Sequence, residues 1–356
     1  PNNDLLLTQP TDTVSAVAWS PVPQQNGQEV VHLLASSTWD GNLLFHRVSL
    51  GGQQEGMVVP AHKAPILDVT WALDGSKVFS AACDKTVMSW DFGGGTPVQV
   101  AAHDEPVKFV RHVETAAGPL LVTGGWDGAL KWWDGRAAQP IQVVDMKAPA
   151  HCASFRDKMG VVCTTNRRIM VFDLSKGADP LLEFESPLKY ATRSVSVFAK
   201  ADGFALGSIE GRIQIHYINL DASSASTAQV LNKCFSYKYH RDTPQHSGQP
   251  TIVHSINAIA GFQDDIFITA GSEGLVTWWN KNTRVKLGEF NRHPSPITSL
   301  AVSPDGNLLA YAAGYDWHKG IEFNDPKTYP PALLVHAVTD VDLKEKPTTK
   351  PSAVRR

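Results

Sequence analysis

Short apolar segments alternate with polar turns along almost the whole chain. Segments rich in valine, isoleucine, alanine and aromatic residues stand between clusters of Gly, Asp, Asn and Pro, and no long 3.6-residue pattern competes with them. This pattern predicts an all-β protein. Comparable strand starts recur at a spacing of mostly about 41 to 44 residues, at Val14, Ile66, Val107, Cys152, Ser194, Ile256 and Ile297.

That spacing is the period of WD repeats, each of which builds one four-stranded blade of a β-propeller. Residues 62–91 and 103–134 carry the most complete repeats. Each has a histidine before its first strand, a hydroxyl residue four positions before an aspartate, and a tryptophan six positions after it. We therefore predict a seven-bladed WD40 β-propeller. The two polar sets are His62, Ser80, Asp84 and Trp90, and His103, Thr123, Asp127 and Trp133.

The remaining repeats depart from this pattern. The sixth repeat keeps Thr269 and Trp279 but has Glu273 at the acidic position. The first and fifth repeats place His46 and His216 where a tryptophan would stand. Only the second and third repeats are expected to hold a complete polar set.

Both ends of the chain are expected to meet in the last blade. Residues 4–8 can form a strand that pairs with residues 331–338, which removes the exposed strand edges of an open propeller. Residues 1–340 are therefore predicted to be one domain. Residues 219–229 are rich in Ser, Thr and Ala and are predicted to be a surface loop, and residues 341–356 a flexible tail.

Composition describes an ordinary globular protein with 42 % hydrophobic and 19 % charged residues. The formal charge of -3 excludes a global attraction to nucleic acid, so RNA binding would need a local basic patch. Four cysteines without CxxC pairing suit reduced thiols. No apolar run is long enough to insert into a membrane, so we expect a soluble intracellular protein.

His62, Ser80 and Asp84 are the residue types of an acyl-transfer triad, so a hydrolase is one candidate function. The same set recurs as His103, Thr123 and Asp127, and repetition favours a structural hydrogen-bonded network over a single active site. We expect a non-enzymatic protein. Metal, cofactor and small-molecule substrate motifs are absent from the sequence.

The three tryptophans of VTGGWDGALKWWD have different expected roles. Trp132 and Trp133 alternate along a strand and should face opposite sides of their sheet, both in the core. Trp126 stands in the turn before Asp127, and Trp39 occupies the equivalent turn of the first repeat. For these exposed aromatic residues, a binding role and incidental packing both stay open.

Two segments combine basic and aromatic residues. Lys281, Arg284 and Lys286 fall on one hairpin, and residues 233–241 interleave basic residues with Phe and Tyr. Such segments can contact phosphates and stack bases of single strands, whereas an ordinary solvated strand face is the plainer interpretation.

Several motifs, read in order along the chain, resemble the messenger-RNA export factor family of WD-repeat propellers. They are DGSKVFSAACDKTVMSWD, HDEPVK, ESPLKY, GFALGSIEGRIQIHYIN and AYAAGYDWHKGIEF. The family is kin to a spindle-checkpoint propeller, which is the alternative identity and would bind kinase peptides similar to the GLEBS segment. The resemblance covers essentially the whole chain.

The resemblance implies a scaffold in poly(A) mRNA export. It implies location in the nucleus and at the nuclear pore complex of the nuclear envelope, with shuttling to the cytoplasm. The implied partners are a GLEBS-containing nucleoporin, single-stranded or poly(A) RNA, and messenger ribonucleoprotein. In the family, the arginine after Ser-Ile-Glu-Gly pairs with acidic peptide residues, and Lys281, Arg284 and Lys286 match a basic RNA patch. The expected peptide contacts are Trp39, Trp126, Glu210, Arg212, Tyr315 and Trp317.

Overall fold

The computed structural model describes residues 4–27, 29–51, 54–91, 96–220, 234–242, 250–263 and 265–344. Thirty-one strands account for almost all of its regular structure. In chain order, β1 to β10 are Leu5–Leu6, Val14–Trp19, Gln24–Asn26, Glu29–Thr38, Asn42–Ser49, Gln54–Pro60, Ile66–Trp71, Lys77–Ala82, Thr86–Asp91 and Val98–Ala102. Strands β11 to β18 are Val107–Thr115, Gly118–Gly125, Ala129–Trp133, Gln142–Asp145, Ala150–Arg156, Met159–Thr164, Arg168–Asp173 and Pro180–Glu185.

The second half of the chain continues the same repeat. Strands β19 to β25 are Thr192–Val197, Gly203–Ser208, Arg212–Tyr217, Phe235–Lys238, Arg241–Asp242, Ile252–Val253 and Ile256–Gly261. Strands β26 to β31 are Ile266–Gly271, Val276–Asn280, Val285–Glu289, Ile297–Val302, Leu308–Ala313 and Ala332–Ala337. A short 3-10 turn, Ile321–Phe323, precedes β31, and the helix α1, Asp340–Leu343, follows it.

These strands form seven antiparallel blades, which confirms the predicted propeller. Blade one contains β2, β4, β5 and β6, with β3 added beside β4. Blades two to five use β7–β10, β11–β14, β15–β18 and β19–β22. Blade six uses β25–β28, and the small β23–β24 hairpin lies between blades five and six. The inner strand of each blade, nearest the propeller axis, is its first long strand: β2, β7, β11, β15, β19, β25 and β29. Five of these inner strands begin at the predicted residue, and two begin two residues earlier, at Ala150 and Thr192.

Blade seven is built from both ends of the chain, as predicted. Its sheet order is β1-β31-β30-β29, and β1 runs antiparallel to β31 with Leu5 opposite Val335. The N–H of Leu7 donates to the carbonyl of Leu333 at 2.9 Å, and the Leu7 side chain is buried. The N-terminal strand thus covers an edge of the last blade that would otherwise be unpaired.

Hydrophobic side chains fill the spaces between neighbouring blades. Trp132 is fully buried and packs with Phe172 of blade four, with ring centroids 5.8 Å apart. Trp133 faces the other way and packs with Phe79 in the cluster shared with blade two. The expected division of these tryptophans between the two faces of one sheet is therefore present.

Each of the seven inner strands has a register shift after its first residue. Such a β-bulge leaves one residue unpaired and re-aims its side chain. In every blade the bulge falls at the second residue of the strand, so seven equivalent side chains surround the propeller axis at one level. They are Ser15, Leu67, Lys108, His151, Arg193, Asn257 and Thr298.

The chain remains ordered slightly beyond the predicted domain boundary at residue 340. Thr339 caps α1 through a reciprocal capping box with Asp342, and Leu343 packs against the core between blades six and seven. Residues 345–356 and most of the predicted loop at 219–229 lie outside the described residues. Within the described residues, no helix has the length and hydropathy to cross a membrane.

Candidate functional site

A chain of hydrogen bonds joins the polar set of blade two. The indole N–H of Trp90 donates to Ser80 at 2.9 Å, and the Ser80 hydroxyl donates to His62 Nε2 at 2.7 Å. His62 Nδ1 donates to Asp84 at 2.8 Å, in the tautomer that these partners require. Because Ser80 is fully buried, it presents no exposed nucleophile. The triad-like geometry therefore stabilises the blade.

Blade three repeats this chain of hydrogen bonds. Trp133 Nε1 donates to Thr123 at 2.8 Å, and Thr123 lies 2.7 Å from His103 Nε2. His103 Nδ1 lies 2.9 Å from Asp127 Oδ2. Burial lowers the pKa of His103, so the neutral imidazole is the stable form in this network. Gly125 leaves room for these groups, since a Cβ there would lie 2.4 Å from Asp127 and 2.5 Å from His103.

Blade six holds a third complete set, so the expectation of only two is wrong. Trp279 Nε1 donates to Thr269 at 2.9 Å, and Thr269 lies 2.8 Å from His240 Nε2. His240 Nδ1 bonds to Glu273, whose longer side chain takes the place of aspartate. His240 follows a long insertion and stands outside the usual spacing. The sequence period therefore does not reveal it.

Four of the six expected peptide contacts line one cavity, namely three tryptophans and Tyr315. Trp39, Trp126 and Trp317 line a cavity of about 580 Å³ at the mouth of the central channel. Trp126 is 43 % exposed on the turn after β12, whereas Trp39 and Trp317 are partly buried on the other side of the mouth. Aromatic side chains on exposed turns are typical of binding surfaces.

Trp317 has the most unusual environment of the three. Its ring centroid lies 4.8 Å from that of Trp39, in a tilted arrangement. Its backbone adopts φ 64°, a left-handed conformation that bulky residues rarely occupy. Its Nε1 is buried without a hydrogen-bond partner among the described residues. Strain and an unused donor in one residue favour a binding role.

Tyr315, which was expected to contact the peptide, is not exposed at the rim. It is fully buried behind Trp317, with ring centroids 5.6 Å apart. Its hydroxyl donates to the Gly320 carbonyl at 2.7 Å and accepts from the Lys319 N–H at 3.1 Å. Tyr315 therefore fixes the loop that carries Trp317.

The floor of the cavity is basic, a feature that sequence reasoning missed. Lys108, His151 and Arg193 come from blades three, four and five and occupy equivalent bulged positions. Burial lowers the pKa of His151 to about 4, and the nearby charges of Lys108 and Arg193 act in the same direction. Burial also lowers the pKa of Lys108. The available signal was a polar second residue in six of the seven inner strands, which no motif marks.

Arg212 and Glu210, two further expected peptide contacts, are not among the residues that line this cavity, so Arg212 does not lie on the propeller axis. Arg212 begins β21, the third strand of blade five, with its side chain 31 % exposed. Its Nε lies 3.2 Å from Glu210 Oε2, and the two form one ion pair at the rim. The axial arginine is instead Arg193.

The expected RNA patch on β27 and β28 is largely neutralised. Lys281 is 1 % exposed, with Nζ 2.7 Å from Asp202 and 3.3 Å from Asp265, so it is a buried structural cation. Lys286 Nζ lies 3.1 Å from Glu289. Arg284 is exposed and stacks over a neighbouring aromatic ring. Of the three residues, only Arg284 keeps a charge without an acidic partner among the described residues.

The aromatic residues of the second basic segment are packed rather than free to stack bases. Tyr237 and Tyr239 contact Trp279, with ring centroids 5.3 Å and 4.7 Å away. Phe235 contacts Tyr237 edge-on at 5.1 Å. This strand covers the outer side of the Trp279 network and offers no open stacking platform.

Comparison with known proteins agrees with this architecture. The WD domain, G-beta repeat family matches residues 53–91, 95–134 and 284–318. An mRNA export factor GLE2 of Chaetomium thermophilum is 35 % identical, over 98 % of this chain and 94 % of the relative. A Poly(A)+ RNA export protein of Schizosaccharomyces pombe is 35 % identical, over 95 % of this chain and 91 % of the relative.

A vertebrate relative shows the same degree of similarity. An mRNA export factor of Danio rerio is 34 % identical, over 97 % of this chain and 92 % of the relative. Identity at this level along nearly the full length of each protein extends well beyond the shared WD period. The chain belongs to the mRNA export factor family of WD40-repeat propellers.

Proposed function

We propose that this protein is a non-enzymatic adaptor in mRNA export that binds a GLEBS-type nucleoporin peptide across the tryptophan-lined mouth. The names of its relatives support a role in mRNA export, and the residues that line the mouth support a peptide as the ligand. Trp39, Trp126 and Trp317 offer apolar contact area, while Lys108 and Arg193 offer positive charge below them. An extended peptide with apolar and acidic residues fits both features.

The observation that carries this proposal is the geometry of Trp317. Its ring is held against Trp39, its backbone is strained, and its indole N–H has no acceptor in the part of the chain that the structure describes. A peptide carbonyl laid over the ring would supply that acceptor. Fixing two aromatic rings before binding also reduces the entropy lost on association.

Arg212 is proposed to act at the rim rather than on the axis. An acidic peptide side chain would bind Arg212 in competition with Glu210, which lies 3.2 Å away. Contact with single-stranded or poly(A) RNA is proposed through exposed Arg284, with a smaller share from Lys286. Lys281 is excluded from this proposal because its charge is buried against Asp202 and Asp265.

The proposed location in the cell follows from the nucleoporin partner. A GLEBS-containing nucleoporin would hold the protein at the nuclear pore complex, with shuttling between nucleus and cytoplasm in messenger ribonucleoprotein. The alternative is a spindle-checkpoint adaptor that binds kinase peptides through the same mouth. The two functions use one surface and differ in the peptide that binds more tightly.

Calorimetric titration of the full chain with a synthetic nucleoporin GLEBS peptide tests the proposal. Replacing the exposed ring in Trp126→Ala should weaken binding roughly tenfold or more, since buried aromatic anchors dominate interface energy. Met57→Ala is the matched control, because Met57 is exposed on the outer strand β6, away from the mouth. Unchanged affinity in Trp39→Ala and Trp126→Ala would overturn the proposed surface. Tighter binding of checkpoint-kinase peptides would favour the alternative.

A further inference from the structure

Three basic side chains converge on one point at the floor of the mouth. Lys108, His151 and Arg193 stand at the same level on adjacent inner strands β11, β15 and β19. All three also line the narrower space of about 300 Å³ below. Their convergence results from the bulge shared by these strands, which turns each side chain toward the axis.

Within the described ranges these groups have no ion-paired counter-charge, and the Asp68 carboxylate acts on Lys108 only from a longer distance. Among the described residues, none of the three forms an ion pair with an acidic side chain, and Arg193 makes a single 3.4 Å hydrogen bond to the Asp316 carbonyl. His151 Nδ1 is buried without a partner in the same part of the structure. Unpaired cations that repel one another are unfavourable in the free protein, and a bound anion would relieve that repulsion.

The acidic residues nearest the floor are already occupied. Asp68 is bound by Arg111 and accepts the backbone N–H of Val110 at 3.0 Å. The carboxylate of Asp316 accepts hydrogen bonds from Asn257 at 2.9 Å and from Ser272 at 2.5 Å. Neither carboxylate is free to move onto the basic floor.

The arrangement favours a compact anion over a polynucleotide. RNA presents a phosphate at every nucleotide and needs cations spread along a track, whereas these cations meet at one point. The Asp316 carboxylate on the blade-seven side of the mouth would also repel an extended polyanion. A carboxylate side chain on a peptide can reach the floor while its neighbours contact Trp39 and Trp317.

We propose that Lys108, His151 and Arg193 form an anion site that receives carboxylate side chains of the partner peptide. This inference rests on the proposed function, since the carboxylates belong to the peptide that crosses the mouth. Arg193 provides a permanent charge, Lys108 provides a second basic group, and His151 makes the site sensitive to pH.

The direction of that sensitivity follows from the surroundings of His151. The charged groups facing it from β11 and β19 are Lys108 and Arg193, and its β16 neighbours are uncharged. Free His151 is neutral because burial and these cations lower its pKa to about 4. A carboxylate beside the ring raises that pKa, so binding takes up a proton and tightens as pH falls.

A double-mutant cycle measured by calorimetry tests the site. The probes are a synthetic nucleoporin GLEBS peptide and the same peptide with every Glu and Asp changed to Gln and Asn. The protein variants are the full chain with Lys108→Met and Arg193→Met together, and Lys63→Met as control. Lys63 is an exposed cation beside His62 that does not line the cavity.

Affinity should fall only when the peptide carries its carboxylates, because they are the groups that Lys108 and Arg193 are proposed to bind. The double variant should bind the native peptide at least about tenfold more weakly and the neutral peptide with unchanged affinity, as a direct contact requires. Lys63→Met should match the wild type. Equal losses for both peptides, or no loss for either, would overturn the anion site while leaving the proposed function intact. If the wild type fails to bind the native peptide, both proposals fall.

Two further measurements test the role of His151 and whether the ligand is a peptide or RNA. Wild-type affinity for the native peptide should rise roughly threefold or more from pH 7.5 to pH 5.5, and His151→Gln should flatten this profile. An equal pH response in His151→Gln would remove His151 from the site. If the double variant instead loses oligo(A) affinity and keeps the native peptide, the floor is an RNA site and the proposal is wrong.

Discussion

At the residue scale, three tryptophans within eight positions have three different environments. Trp132 is enclosed between blades three and four, and Trp133 donates to Thr123 within a buried network. Trp126 is 43 % exposed and lines the mouth. Alternation along a strand determines the first two, whereas Trp126 belongs to a turn, where no core packing requires an aromatic residue.

The Thr123 hydroxyl is the central atom of its network, which makes it a sharp test of the structural interpretation. Thr123→Val keeps the shape but leaves the Trp133 N–H without an acceptor and His103 Nε2 without its donor. We expect the free energy of unfolding to fall by about 1–3 kcal/mol, measured by urea denaturation. Thr251→Val, at an exposed position, should leave stability unchanged. Equal stability of both variants would contradict the network.

At the element scale, the period of the repeats predicts the blades well because every blade buries hydrophobic side chains against its two neighbours in the same way. Five of the seven inner strands begin at the predicted residue. The bulge at the second residue of each inner strand escapes such an analysis, because it depends on pairing between strands rather than on hydrophobic spacing. His240 escapes it for another reason, since an insertion moves this histidine away from its regular place.

Surface patches are the least predictable elements for a related physical reason. Basic residues close in sequence suggest a patch, but their availability depends on acids from other strands. Asp202 and Asp265 neutralise Lys281 from outside its hairpin. Likewise, the basic floor joins three residues more than forty positions apart, and only the fold brings them together.

The β27–β28 hairpin should separate RNA contact from stability. Arg284→Ala should weaken binding of oligo(A) and reduce the slope of affinity against salt by about one, as loss of one phosphate contact requires. Lys281→Ala should instead lower the melting temperature, because two carboxylates lose their buried cation. Fluorescence anisotropy across a salt series measures the first effect. A stable Lys281→Ala variant with weakened RNA binding would reverse this assignment.

His336 on β31 bonds to Asp4, just before β1, and to Asp342 of α1, and these three residues are called the histidine clasp. His336 Nδ1 lies 2.6 Å from Asp4, and Nε2 lies 3.2 Å from Asp342. Burial acts to lower the pKa of His336, but hydrogen bonds to both carboxylates outweigh it and raise that pKa above its usual value. The clasp therefore adds stability below the unfolded pKa of about 6.5, and that stability is lost as pH rises through the folded pKa.

Urea denaturation of the wild type and His336→Gln at several pH values measures the clasp. The difference in unfolding free energy should be largest near pH 6 and shrink toward pH 8.5. Burial lowers the pKa of His46 and of His216 to about 4, so both proteins lose stability in acid, and this effect cancels in the difference. A difference that stays constant with pH would contradict a protonated His336.

At the scale of the whole molecule, closure by the N-terminal strand makes seven separate sheets into one ring. Strand β1 supplies the fourth strand of blade seven, and Leu7 enters the core shared by blades seven and one. Every blade then has two packed neighbours, which holds the bulged side chains at one level around the axis. The binding mouth is consequently a property of the closed ring and not of any single repeat.

Removing residues 1–9 should therefore destabilise the entire propeller. The deletion exposes the edge of β31 and removes the buried Leu7 side chain, so we expect the melting temperature to fall by at least about 5 °C. A deletion limited to residues 1–3 serves as the control. An unchanged thermal transition in the longer deletion would contradict closure by β1.

The most direct test of the central claim is a crystal structure of the full chain with a nucleoporin GLEBS peptide. The account predicts a peptide lying across the mouth, with an apolar side chain against Trp39 and Trp317 and a carboxylate between Lys108 and Arg193. It also predicts an acceptor for the indole N–H of Trp317. A peptide bound on another face, with the mouth unchanged from the free protein, would contradict the account.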